Sequence, residues 1–321
     1  MEKTAAIIRR SVFTFLKNYQ YFTSTPSLSA LPFAISCLAS QLIIPTSPLF
    51  PIIHLRLRSL FLAAGFPPSV ELFAILNLKL SQTIVNYLFS LPFTISFLLL
   101  AKASIIRAIE HKKPEQKHAF SSWIQLLSPL LITQLCNSLL ILSANATCFC
   151  LIVVYFNFFE MLGALSAPGS SLLLSAIGAI IYSIILANAY VICNLALVFS
   201  GYEKAGGFIS IIKTYVLIQD RTATALSLAL PFNMALAGIE ALFQYRIVRA
   251  YNRAFAINSA MVFEGFLIAY LYAMILVLDT VVGCIFIRSS RTTESEIGQE
   301  DAYFHGIEIQ NTDCKFLAKG I

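Results

Sequence analysis

From Ala119 to Tyr202 the chain runs for 84 residues with one charged side chain, Glu160. About 20 helical residues cross the ~30 Å hydrocarbon core of a bilayer, so this stretch holds two crossings with Glu160 at the turn between them. Charge-poor stretches lie on both sides of it. The pattern predicts six helical spans: near Ser27–Thr46, near Leu80–Ala101, within Leu126–Phe159, near Ser171–Ser200, about Thr222–Ile239 and about Met261–Ile287. Lipid offers backbone groups no partners, and no segment alternates apolar and polar residues over barrel-strand lengths, so the spans are expected to be helices. The third window exceeds one perpendicular helix. Tilt, a kink at Pro129 or an interfacial continuation is expected there.

A second periodicity precedes each odd-numbered span. Ile7, Ile8, Val12, Phe15, Leu16 and Tyr19 share one helical face, with Arg9, Arg10 and Lys17 elsewhere. Ala103–Trp123 carries Ile105, Ile106 and Ile109 beside Arg107, Glu110, Lys112 and Lys113, with Pro114 interrupting it. Phe208, Ile211, Ile212, Tyr215 and Val216 repeat the spacing before the fifth span. Such stretches are expected to lie in the interface with their basic residues toward anionic headgroups. The chain then parses as an all-α polytopic membrane protein, a six-helix domain over residues 1–288. Its three hairpin units run about 1–101, 102–201 and 202–288, and a polar tail over 289–321 is expected to be disordered. Leu-Pro-Phe recurs at Leu31, Leu91 and Leu230, which fits either an ancestral repeat or convergent membrane grammar. The first outer loop alternates Leu55 and Leu57 with His54, Arg56 and Arg58. It turns at Ala64–Pro68 and continues as a short interfacial helix over Glu71–Lys79.

Composition agrees with lipid. The chain is 58% hydrophobic and 12% charged, against roughly 25% charged in soluble chains. Its net charge of +6 comes without the aromatic-interleaved basic stripe or motif spacing of a nucleic-acid binder, so no nucleic-acid partner is expected. Sixteen of the 22 Lys and Arg residues fall on the N-terminal side of the spans and six on the other. That bias predicts both termini in the cytosol. The apolar run after the amphipathic N-terminal segment reads as a retained signal anchor.

Candidate chemistry is sparse. Ionisable groups inside spans are costly unless paired or wetted, which makes each a candidate site. Asp279 lies nine residues before Arg288, about 13 Å into the membrane at the helical rise. Glu264 falls on a similar face near the other interface. Asp279 reads either as an ion or proton site or as a carboxylate that binds the sixth helix to its neighbours. Gln134, Asn137 and Asn145 line one face of the third span, either as interhelical glue or as a polar pathway. Asn86, Asn188, Asn194 and Asn233 are scattered over other spans. The Asn145-Ala146-Thr147 sequon is embedded in apolar sequence and is expected to be unused. Seven cysteines, mostly in apolar runs and without a CxxC pair, suit packing rather than disulfides or metal. His111 and His118 flank Lys112, Lys113 and Lys117, a better match to headgroup contact than to catalysis. Walker, GxSxG and HExxH signatures are absent, and neither a catalytic residue nor a cofactor is expected.

The run Val198–Gly207, continued by Ile212-Lys213-Thr214 and Gln219-Asp220-Arg221, resembles a plant family of six-span membrane proteins. The Phe15–Tyr19 entry, Gly65-Phe66-Pro67-Pro68 and Leu78–Gln82 are similar to it as well. The resemblance covers most of residues 10–288. It implies plant origin and a secretory-pathway membrane, plasma membrane or endoplasmic reticulum, and supplies neither an activity nor catalytic residues. Some relatives carry a name tying them to a poly(A)-binding-protein partner. The leading expectation is a non-enzymatic membrane scaffold or accessory protein acting through lipid and protein contacts. The alternative is a small-solute or ion transporter using Asp279.

Overall fold

The computed structural model describes residues 2–63, 71–110, 120–161, 170–254 and 258–317. These residues are almost wholly helical and include no strand. In order, the helices are α1 (Glu2–Lys17), α2 (Tyr19–Ile43), α3 (Leu49–Ala63), α4 (Glu71–Phe93), α5 (Leu99–Glu110), α6 (Phe120–Met161), α7 (Ser170–Glu203), α8 (Phe208–Ile218), α9 (Thr222–Phe243), α10 (Arg249–Ala254) and α11 (Ser259–Leu317). Six stretches are long and apolar enough to cross a membrane: Tyr19–Ile43, Leu80–Glu110, Leu126–Ile152, Ala176–Glu203, Thr222–Arg253 and Ser259–Thr292. The chain is therefore an all-helical protein with six candidate spans.

Prolines mark where the spans deform. Pro26 has no N–H for the Phe22 carbonyl one turn back, and the Ser27 hydroxyl donates to that oxygen instead at 2.7 Å. Pro92 precedes a π-helical turn over Thr94–Leu98 that joins α4 to α5. The third span, by contrast, stays one continuous helix of 42 residues through Pro129.

The sixth span is the hub. Its membrane window is 61% buried, against 11–44% for the other five. It packs against α2, α5, α7 and α9, while α6 packs chiefly on α7. Within each hairpin the two spans also touch: α2 with α4 and α5, α6 with α7, α9 with α11. The main core gathers Leu99, Ile106, Leu197, Val281 and Phe286 near the end of the bundle that carries α1 and Arg288. A second cluster around Ala34, Phe243, Ile268 and Ala273 fills the opposite half.

Several expectations change. Ala103–Glu110 is not an interfacial helix. Ala103, Ile105, Ile106 and Ile109 are all buried, because α5 continues the second span into the bundle and its small residues let neighbours approach closely. Residues 111–119, with the histidines and lysines expected at the headgroups, lie outside the described residues, as does the turn at 64–68. The alternating segment around His54 is helical (α3), and its outward leucines coexist with a His54 contact to Asn77 and Ser81. Glu71–Lys79 is the start of α4 rather than a separate helix. Over the residues of the tail, α11 runs on to Leu317. In α1 the expected apolar face is divided. Phe15 is buried and Ile7 and Ile8 pack on the core, whereas Val12, Leu16 and, at the start of α2, Tyr19 are exposed.

The link from α7 to α8 shows why its glycines are there. A Cβ on Gly206 would sit 2.7 Å from the Pro129 carbonyl oxygen and 2.8 Å from its Cα. Gly207 adopts φ +87° and donates its N–H to Thr133 Oγ1 at 2.9 Å. Backbone thus lies on backbone, and α6 cannot yield. Gly206→Ala is expected to destabilise the protein by about 1–3 kcal/mol, read as a lowered thermal midpoint in detergent. Gly178→Ala, with no atom within 4 Å of the new Cβ, should leave the midpoint unchanged or slightly raised.

Candidate functional site

Asp279 sits where its spacing from Arg288 places it, and it is not alone. Asn194 of α7 donates from Nδ2 to Asp279 Oδ2 at 2.9 Å. Lys102 of α5 donates from Nζ to Asn194 Oδ1 at 2.5 Å. An ammonium, an amide and a carboxylate form one chain across three spans. The amide turns its oxygen to the cation and its nitrogen to the anion, so its dipole favours both charges.

The three residues meet because they share a depth. Each belongs to the second span of a hairpin, and these spans run in the same direction. Lys102 lies eight residues before Glu110, Asn194 nine before Glu203 and Asp279 nine before Arg288. At 1.5 Å per residue all three stand about 12–14 Å from that end. Lys102 keeps 8% of its surface exposed. Asp279 and Asn194 border a small cavity that Leu228, Val282 and Phe286 also line.

The other expected site residues go elsewhere. Glu264 accepts from Arg246 Nε at 2.5 Å near the opposite end, with both side chains partly exposed. It lies fifteen residues from Asp279, about 22 Å along α11, and the two do not form one site. Asn137 is buried and donates to the Cys193 carbonyl at 2.8 Å, one residue from Asn194. It is the nearest approach of the third span's amides to the triad that the hydrogen bonds record. Asn145 accepts from the Tyr182 hydroxyl at 2.6 Å and donates to the Ile141 carbonyl. Gln134 is half-buried on α6. Asn137 and Asn145 join α6 to α7.

A second polar contact crosses the bundle nearer the opposite end. The Tyr272 hydroxyl of α11 donates to Glu240 Oε1 of α9 at 3.0 Å, and Cys37 Sγ of α2 lies 3.6 Å from the same hydroxyl. Having spent its proton on Glu240, the tyrosine oxygen accepts from the thiol.

Lys102 and Glu240 are the site residues that sequence reasoning missed. Each was taken as the end of a span, which closed the second at Ala101 and the fifth at Ile239. The signals that could have found them are the apolar runs continuing past both, to Ile109 and to Phe243. Among the described residues no three His, Cys, Asp or Glu side chains gather as a metal site would require.

The triad generates a stability prediction. Lys102→Met leaves the Asp279 carboxylate without its cation and should cost about 3–5 kcal/mol, as should Asp279→Leu in reverse. The double variant removes both charges and should recover most of that loss. Thermal midpoints of the purified variants in one detergent check the order. Equal losses that simply add would disprove the coupling.

No curated protein and no solved structure matches the chain. A family model described as a domain of unknown function, DUF8558, matches residues 3–294, which takes in all six spans. The chain belongs to the DUF8558 family.

Proposed function

We propose that this protein is a non-enzymatic membrane scaffold or accessory protein that acts through lipid and protein contacts. One observation carries the reading: Asp279, the carboxylate expected deep in the membrane, is tied through Asn194 to Lys102 across three spans. It has a bound amide and an internal countercation, the arrangement of a carboxylate that holds helices together.

The surface supports the same reading. On α1, Val12, Phe13 and Leu16 are exposed beside Arg9, Arg10 and Lys17. On α8, Ser210, Ile211, Thr214 and Ile218 are buried, while Phe208, Ile212, Tyr215 and Val216 face out. Apolar faces at the end of a bundle suit the interface between headgroups and acyl chains, and we assign α1 and α8 to it. The basic bias at this end supports a cytosolic side for both termini. The sequence resemblance supports a secretory-pathway membrane and plant origin.

Transport is the reading to test against. Vesicles holding the full chain should pass protons, Na⁺ and K⁺ no faster than empty vesicles, and Asp279→Asn should leave that leak unchanged. A flux that Asp279→Asn abolishes would overturn the scaffold reading.

A further inference from the structure

At the end of the bundle that carries α1, a cavity of about 520 Å³ opens between α1, the start of α2, the end of α5 and α11. Three cations line it: Arg10 and Lys17 from α1 and Arg288 from α11. No acidic residue does. Among the described residues none of the three is paired with a carboxylate, although Arg291, three residues beyond Arg288, lies 3.7 Å from Glu203. Like charges around one cavity repel one another unless an anion sits among them. Buried Phe22 and Ile285 line the cavity too, as does Phe13, which is 67% exposed.

Three cations and several apolar side chains lining one cavity suit an amphiphilic anion. The volume falls in the ordinary range of small-molecule sites. Its position fits a membrane ligand, because Arg288 stands about 13 Å beyond Asp279 along α11, where the hydrocarbon gives way to headgroups. Basic pockets between spans on the cytosolic side are suited to phosphate-bearing headgroups. Arginine adds planar forks that take two phosphate oxygens at once.

We propose that this cavity binds a phosphate group, supplied by the headgroup of an anionic phospholipid, with Arg10, Lys17 and Arg288 holding the phosphate and Phe13 and Phe22 holding the glycerol and upper acyl chain. The inference rests on the lipid-contact part of the proposed function, and the two can fail separately. Asp279-dependent flux would end the scaffold reading and leave this site standing. Loss of phosphate selectivity here would leave the triad standing.

The test uses the purified full chain in an uncharged detergent, with thermal midpoint and direct titration as readouts. The probes are dioctanoyl phosphatidic acid, dioctanoyl phosphatidylcholine and inorganic phosphate. Phosphatidic acid should bind saturably and raise the midpoint, and phosphatidylcholine should not. Arg10→Gln, an exposed position that leaves the bundle intact, should weaken binding about tenfold, as should Arg288→Gln. Lys213→Gln removes one charge on α8 outside the cavity and should leave phosphatidic acid binding unchanged. If inorganic phosphate displaces phosphatidic acid with the same dependence on Arg10 and Arg288, the phosphate site stands and its source is soluble. If it fails to displace the lipid, the headgroup is the source. Equal binding of the two lipids, or an equal loss in Lys213→Gln, would overturn the proposal.

Discussion

A carboxylate and an ammonium drawn into hydrocarbon must be neutralised where they stand, and here the neutralising contact crosses three helices. Lys102, Asn194 and Asp279 come from the second, fourth and sixth spans. No two of them satisfy the arrangement alone, since the amide needs both charges to use both its ends. The contact can close only when all three hairpins lie side by side in one register. A slip of one residue along any of these helices moves its polar group by about 1.5 Å and turns it by about 100°. Apolar packing between lipid-exposed helices gains little over packing against lipid itself, so such a contact has more to say about register than the surrounding leucines do.

The centrality of the sixth span follows from that. It meets neighbours on several sides, and at successive levels one of its polar groups finds a different partner. Glu264 meets Arg246, Tyr272 meets Glu240 and Cys37, Asp279 meets Asn194, and Arg291 approaches Glu203 while its guanidinium lies 5.8 Å from the Phe199 ring centre. Between these levels small residues admit close neighbours. Gly283 faces Leu195 and Val198 at 3.6 Å, and Ala269 and Ala273 are buried in the second core cluster. The polar partners fix which helix stands where, and the small residues set how near.

The spans were legible in the sequence because lipid imposes a length on apolar runs that nothing else requires. Their edges were not, and for one reason. Charge was read as the end of a span, although a charge with a partner elsewhere in the fold can sit well inside. Lys102 needed Asn194, 92 residues on, and Glu240 needed Tyr272, 32 residues on. A single sequence does not display either pairing. Asp279 was found because apolar residues continue on both sides of it, and Asn194 was seen only as one scattered amide. The Gly206-Gly207 step was conspicuous in composition, but its cause is the Pro129 backbone of a different helix. Periodicity gave α1 an apolar face and could not tell that the bundle would take Phe15 and leave Leu16 outside.

The charges at the end carrying α1 divide in a way that separates structure from ligand. Glu203 closes α7, α8 and α11 together through Lys213 at 2.8 Å and Arg291 at 3.7 Å. Those cations have an internal counterpart and need nothing from outside. Arg288 stands on the same helix less than one turn from Arg291, yet it lines a cavity with Arg10 and Lys17 and no acid. Topology alone asks for basic residues at this end and is indifferent to where around the bundle they fall. Their convergence on one cavity, beside apolar side chains, is a further specification. A bundle that neutralises Lys102 with Asp279 and Arg246 with Glu264 has the means to pair its cations. At this cavity the pairing is left to an anion from the membrane.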